Sequence, residues 1–346
     1  MATAPRYEIE NHITSIRDHD HDASFNVRRN GKVFYIYVKP SGFVNSPIMT
    51  KKYLAYLEVL RSGEEVVGDI YDTDVYEWLM TPFEPLFVEL APDPTGDLRN
   101  IKVTLKDHLF PEYFVFTLDI IDEKMYPRRI HRQTPPYQPS FVRFDDDFLD
   151  ELEEWTAFYD PVGITLSFKN PEDALFKQPK KALIENDKIE CFFKPCYSTV
   201  QSIRELKAYK MIAAAGLDRQ LNLCHLYGVV MDDQGFILGL LLTFIDCDVV
   251  PLSCMVHPDD PDDPPPASRQ KWMGQLDTTF DMLHEFGIVW GDVKAENVLI
   301  DQRNNAWITD FGGGYTEGWV DRDMAETQAG DLMGMLKLRK LIVPEG

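Results

Sequence analysis

The sequence predicts an α+β chain in two parts, and three observations point to it. In residues 1 to about 150, short runs of β-branched and aromatic residues alternate with a few stretches of helical period. From about residue 160 the order becomes three strands, a helix, two strands, a polar loop and a long helix. Between them, the basic, Pro-rich stretch Tyr126 to Ser140 reads as a linker, and the acidic runs Asp145-Asp-Asp147 and Asp150 to Glu154 open the next unit.

In the first part, Phe25 to Val38 reads as a hairpin, because Asn30-Gly31 tolerates the positive φ angles of a type I′ turn. Thr50 to Arg61 places Tyr53, Leu54, Leu57 and Leu60 on one helical stripe, stopped by Gly63. Thr73 to Leu90 is helical with interruptions near Pro82 and Pro85, and strands are expected around Val103, Val115 and Phe116. In the second part, strands are expected at Ile164 to Phe168, Ala182 to Glu185 and Ile189 to Lys194. A helix follows from Thr199 to about Ala215, capped by Ser198 or Thr199 and stopped by Gly216. Leu223 to Met231 and Phe236 to Ile245 are two further strands around the turn Asp232-Asp-Gln-Gly235. After the stiff loop Pro258 to Pro266, Ser268 is expected to cap a helix that buries Trp272, Leu276, Phe280 and Leu283 and ends at Gly287.

The 346 residues allow about two domains, and 44% hydrophobic residues allow a sizeable core. With 35 basic against 57 acidic residues the formal net charge is −22, which argues against a nucleic-acid binder or an anionic-membrane binder. Five cysteines without a CxxC pair read as reduced thiols. No apolar signal core or membrane-length run occurs, so a soluble cytoplasmic or nuclear protein is expected. The run Asp18-His-Asp-His-Asp22 has metal-ligand residue types, but adjacent residues rarely converge on one ion, and a solvated acidic loop is the better reading. His284 reads as a packed core histidine.

The chemistry concentrates in Val289 to Asp301, which contains Gly-Asp-Val-Lys-Ala-Glu-Asn297, and in Trp307-Ile-Thr-Asp-Phe-Gly312. Phosphoryl transfer passes through a loose transition state, so a protein must mainly position groups and neutralise charge. One carboxylate orients the attacking hydroxyl and accepts its proton; a second, with an amide oxygen, holds magnesium, a hard cation that prefers oxygen. Asp292 suits the first task, Asn297 and Asp310 the second, and Lys294 is placed to reach the transferred phosphate. Turn chemistry accounts for each of these residues singly and for the set poorly.

The pattern resembles the catalytic loop and DFG magnesium motif of protein kinases. That resemblance implies a two-lobe fold, with residues 160–245 as a small antiparallel-sheet lobe and 246–346 as an abbreviated helical lobe, behind a region 1–150 of unknown role. It implies that Lys194 contacts the α- and β-phosphates of ATP and that Glu205 holds it; Glu205 is the only acidic residue between Thr199 and Gly216. The strand Leu241 to Ile245 would flank the adenine, and Asp331 resembles the buried aspartate that binds the catalytic-loop backbone, although a helix N-cap explains it too. The chain also resembles the divergent kinase-like proteins of filamentous fungi, with an α+β region ahead of the kinase-like lobe and a shortened C-terminal lobe; Trp78-Leu-Met-Thr-Pro-Phe83 and Gly318-Trp-Val-Asp321 add to that resemblance.

Three departures bear on activity. Asn170 to Lys181 is rich in Lys and Pro and lacks the GxGxxG of a phosphate lid; Trp290-Gly291 stands where His-Arg is usual; and eighteen residues, without an APE motif, separate Gly312 from Asp331. With so few residues after Asp331, most of the peptide-docking half is expected to be missing. The expected function is therefore ATP- and magnesium-dependent phosphotransfer to a hydroxyl, protein Ser/Thr before a small molecule. The alternatives are a pseudokinase or nucleotide-binding module without transferase activity, and a scaffold in which residues 1–150 bind a partner and the kinase-like part is structural.

Overall fold

The computed structural model describes residues 6–15, 17, 19–95, 97, 101–175, 177, 179–247, 251–256 and 263–343. The chain divides into two compact units, residues 1–139 with 165–180, and residues 140–164 with 181–346.

The first unit is built on a sheet whose strands lie in the order Glu8–Thr14, Ala23–Arg29, Lys32–Val44, Tyr113–Ile121, Lys124–Ile130. The second and third strands form the expected hairpin: Arg29 pairs with Lys32, and Asn30 (φ 48°) and Gly31 (φ 74°) make the left-handed turn. The third and fourth strands are parallel, so the chain crosses over between them through helices Pro47–Ser62, Asp72–Met80, Glu84–Leu90 and Leu105–Leu109. Proline at the first turn of a 3₁₀ segment, Thr81–Phe83, and of the following helix explains why the predicted 73–90 helix is broken rather than ended. Phe25, Phe34, Ile36, Tyr53, Leu57 and Phe116 form the core.

Two expectations are corrected here. The stretch predicted as linker from Tyr126 contributes the strand Lys124–Ile130, antiparallel to Tyr113–Ile121; Pro127 is tolerated because this is an edge strand, where a missing N–H disturbs no second neighbour. Val103 lies outside any strand; its carbonyl accepts from Leu166 N, and Thr104 bridges Thr165. The acidic His/Asp run is partly outside the described residues, since Asp18 is not among them. Among the described residues no group of three or more His, Cys, Asp or Glu is placed to hold a metal ion.

In the second unit the strands Ala157–Tyr159, Leu226–Met231, Ile237–Thr243, Ile189–Pro195 and Lys181–Ile184 lie in that order. All neighbours are antiparallel except the first pair, an additional parallel strand that sequence patterning had not suggested. Residues 140–164 join this unit through the Val142–Ile237 bridge and through the helix Asp146–Glu153, capped by Asp145. The helix Thr199–Ala215 starts at the Ser198 cap, whose hydroxyl accepts from Gln201 N, and stops at left-handed Gly216. The long helix Pro266–Glu285 buries Trp272, Leu276, Phe280 and Leu283 as expected. Its start is corrected: Pro266, pre-set for helical φ, occupies the first turn, and Ser268 lies inside the helix instead of capping it. Of the loop Pro258 to Pro266, residues up to 262 lie outside the described residues. A hairpin, Val298–Ile300 with Ala306–Ile308, and the helix Gln328–Ile342 complete the unit. No helix among the described residues is long and apolar enough to cross a membrane.

Candidate active site

The lysine strand and the Thr199–Ala215 helix fix the first pair. Lys194 sits opposite Leu240 in the sheet and donates from Nζ to both Glu205 oxygens at 2.8 Å and to Asp310 Oδ1 at 2.8 Å. Glu205 is 4% exposed. Burial alone would drive the Lys194 ammonium down; the two carboxylates outweigh it and hold the group above the ordinary lysine value.

The loop from Trp290 to Asn297 is organised around Asp292. Its Oδ2 accepts from Lys294 Nζ at 2.6 Å and from Asn297 Nδ2 at 3.1 Å, while Oδ1 accepts from the Thr316 hydroxyl at 3.2 Å. Asn297 Nδ2 also donates to the Asp292 carbonyl at 2.9 Å, so the amide staples both ends of the loop. Lys294 Nζ in turn donates to Thr316 Oγ1 at 3.1 Å. Asp310 has a positive φ of 62°, and its Oδ1 accepts from Gly312 N at 3.1 Å. A cavity of about 400 Å³ is lined by Lys194, Glu205, Asp292, Lys294, Asp310 and Thr316; Asn297 stands behind it, against Asp292. The six residues singled out in the sequence are thus brought together.

The support behind the loop comes from the last helix. Asp331 is 2% exposed; its Oδ2 accepts from Trp290 N at 2.8 Å and its Oδ1 from Gly291 N at 2.8 Å. His284 is mostly buried and its Nε2 lies 2.9 Å from Asp331 Oδ2, so it is packed, but on a carboxylate as well as on the Phe280 ring. The N-cap role belongs to Thr327, whose hydroxyl accepts from Gly330 N. Burial pushes the Asp331 carboxyl up, and His284 and the two backbone N–H groups pull it back only in part.

Two contributors were missed by sequence reasoning. Thr316 lies in the glycine-bounded segment after Phe311, where nothing in the pattern marks one hydroxyl over another. Trp290 was seen only as a departure; in the structure its buried indole Nε1 donates to Thr309 O at 2.9 Å, tying the Asp292 loop to the residue before Asp310. Either role required the fold to bring the two loops together.

Residues 196–318 match the protein kinase domain. The chain accordingly contains a protein-kinase fold, with a sheet lobe ahead of helical elements. A stretch of 55 residues is 42% identical to the serine/threonine-protein kinase PKH3 of Eremothecium gossypii, covering 16% of this chain and 8% of that protein.

The loop that carries Asp292 is pressed against the last helix where Val293 meets Gly334, and this supplies a stability test. A Cβ on Gly334 would stand 2.5 Å from Val293 Cβ and 2.9 Å from Val293 O. In an open helix interior, Gly→Ala gains about 0.5–1 kcal/mol. Here overpacking, which costs about 1–3 kcal/mol, outweighs that gain. Gly334→Ala is expected to lower the urea midpoint, whereas Gly274→Ala in the long helix, with nothing within 4 Å, should raise it. Equal shifts for the two variants would show that the Val293 contact carries no strain.

Proposed function

We propose that this protein is an ATP- and magnesium-dependent phosphotransferase acting on a hydroxyl, with protein Ser/Thr as the preferred acceptor. The observation that supports it most is the convergence on one cavity of a paired lysine, a carboxylate with two aligned oxygens and a second, 40% exposed carboxylate. The donor set fits a hard cation: Oδ1 of Asp310 is engaged by Lys194 and Gly312, leaving Oδ2 available, and Asn297 spends its N–H groups on Asp292, leaving its oxygen. When bound, magnesium neutralises charge on the phosphates being transferred.

In this reading Lys194, held by Glu205, binds the nucleotide phosphates. Asp292 Oδ1, already within reach of one hydroxyl in Thr316, accepts the proton of the acceptor hydroxyl as its oxygen bonds to the γ-phosphorus. The bond from that phosphorus to the β–γ bridging oxygen breaks, and ADP leaves. Lys294, 2.6 Å from Asp292 Oδ2, offsets charge on the transferred group. The likeness to the fungal serine/threonine-protein kinase supports the choice of acceptor, and a soluble cytoplasmic or nuclear setting and kinship with the shortened fungal kinase-like proteins belong to the same proposal.

A second reading, nucleotide binding without transfer, is favoured by one feature: no glycine occurs between Gly163 and Gly216, so the phosphate lid is not a glycine loop. Binding is tested first. ATP with magnesium is expected to raise the melting temperature, since a hundredfold excess over Kd stabilises by about 2.7 kcal/mol. ATP with a chelator should do much less. No shift at millimolar nucleotide would remove both readings in favour of a scaffold.

A further inference from the structure

One face of the Thr199–Ala215 helix touches the segment between Asp310 and the last helix. Gln201 and Arg204, three residues apart, share that face, while Glu205 turns inward to Lys194. Added Cβ atoms show how close the approach is: at Gly312 it would lie 3.6 Å from Gln201 Cβ, and at Gly313 3.2 Å from Arg204 Nη1 and 3.1 Å from Glu326 Oε1. Arg204 and Glu326 form an ion pair directly over Gly313, which has φ 71°. Glu326 itself is left-handed, with φ 60°, an uncommon backbone state for a glutamate. The next residue, Thr327, caps the helix that carries Asp331.

We propose that Arg204 and Glu326 are positioning residues: a built-in ionic strap that holds the 312–327 segment against the Glu205 helix and assembles the site without phosphorylation of that segment. The proposal rests on the phosphotransfer reading. It also answers the loss of a basic residue before Asp292, where Gly291 provides no receiver for a phosphate. Arg204 is the receiver, and the anion is a carboxylate already in the chain. The hydroxyls of the segment are in keeping with this: Thr316 is engaged at Asp292 and Thr327 at the helix cap, which leaves only the exposed Tyr315. The strap joins the two supports of the site, since one side of it carries Glu205 and the other leads through Thr327 to Asp331, Trp290 and Gly291.

The test uses the full chain, as wild type, Arg204→Glu, Glu326→Arg and the charge-swapped double variant. Amide hydrogen exchange is followed in residues 199–206 and 312–318, and phosphate transfer is measured in parallel. Each single variant should exchange faster in both segments and transfer about two- to fivefold more slowly, the range an exposed ion pair supports. The double variant should regain wild-type values for both. Phosphatase treatment of wild type should leave its rate unchanged. Unaltered exchange in the single variants, failure of the swap to restore it, or a rate that falls on phosphatase treatment would each overturn the strap. If wild type transfers no phosphate, that result counts against the proposed function, and the exchange data still decide the strap.

Discussion

Replacing Asp331 by alanine is expected to lower stability by about 2–4 kcal/mol, because it strands one buried and one partly buried peptide N–H group at once. Trp290 is fully buried and its N–H donates to Oδ2; the neighbouring Gly291 N–H donates to Oδ1. Neither loses its need for a partner when the carboxylate is removed, and the Trp290 N–H is buried. Such bonds to an ionised acceptor are stronger than neutral ones. The His284 ring nitrogen 2.9 Å away loses its partner as well. Against a total of about 5–15 kcal/mol for an ordinary domain, the loss is a large fraction. Chemical denaturation of the purified variant checks it. Asp331→Asn keeps one acceptor oxygen and should fall between wild type and alanine. A midpoint for Asp331→Ala indistinguishable from wild type would mean that the loop does not depend on this carboxylate.

The same contact shows which parts of the molecule were legible in the sequence. Local signals worked where the physics is local. Asn30-Gly31 permits one turn, Ser198 and Gly216 bound one helix, and the spacing of Trp272, Leu276, Phe280 and Leu283 fixes a buried face. Asp292, Asn297 and Asp310 could be singled out because the DxKxEN and DFG spacings fall within two short segments of the sequence. Signals that depend on distant partners could not be read. Pro127 argues against a strand until its edge position is known. Ser268 is as good a cap as any until Pro266 takes the first turn. Trp290 and Thr316 acquire roles only when residues 19 and 24 positions from them in sequence are brought alongside. The ion pair between Arg204 and Glu326 spans 122 residues, and no periodicity encodes it.

Asp292→Asn is expected to reduce phosphate transfer by about 10²–10⁴ while leaving ATP binding nearly intact. The asymmetry follows from which atoms each carboxylate serves. Asp292 is fixed by Lys294 and Asn297 on one oxygen and meets a hydroxyl on the other; it touches neither Lys194 nor Asp310. An amide keeps its size but cannot take up the acceptor's proton, and it offers a single acceptor oxygen to Lys294, Asn297 and Thr316 together. Asp310→Asn removes charge from a group that faces Lys194 at 2.8 Å and lines the cavity, so it should weaken magnesium-dependent nucleotide binding and turnover alike. Two measurements on each variant separate these cases: nucleotide-induced thermal stabilisation with and without magnesium, and transfer of labelled phosphate to a general protein acceptor. Equal transfer by wild type and Asp292→Asn would place the activity elsewhere and leave nucleotide binding as the function of the site. Loss of thermal stabilisation in Asp292→Asn, with Asp310→Asn unaffected, would reverse the roles given to the two carboxylates.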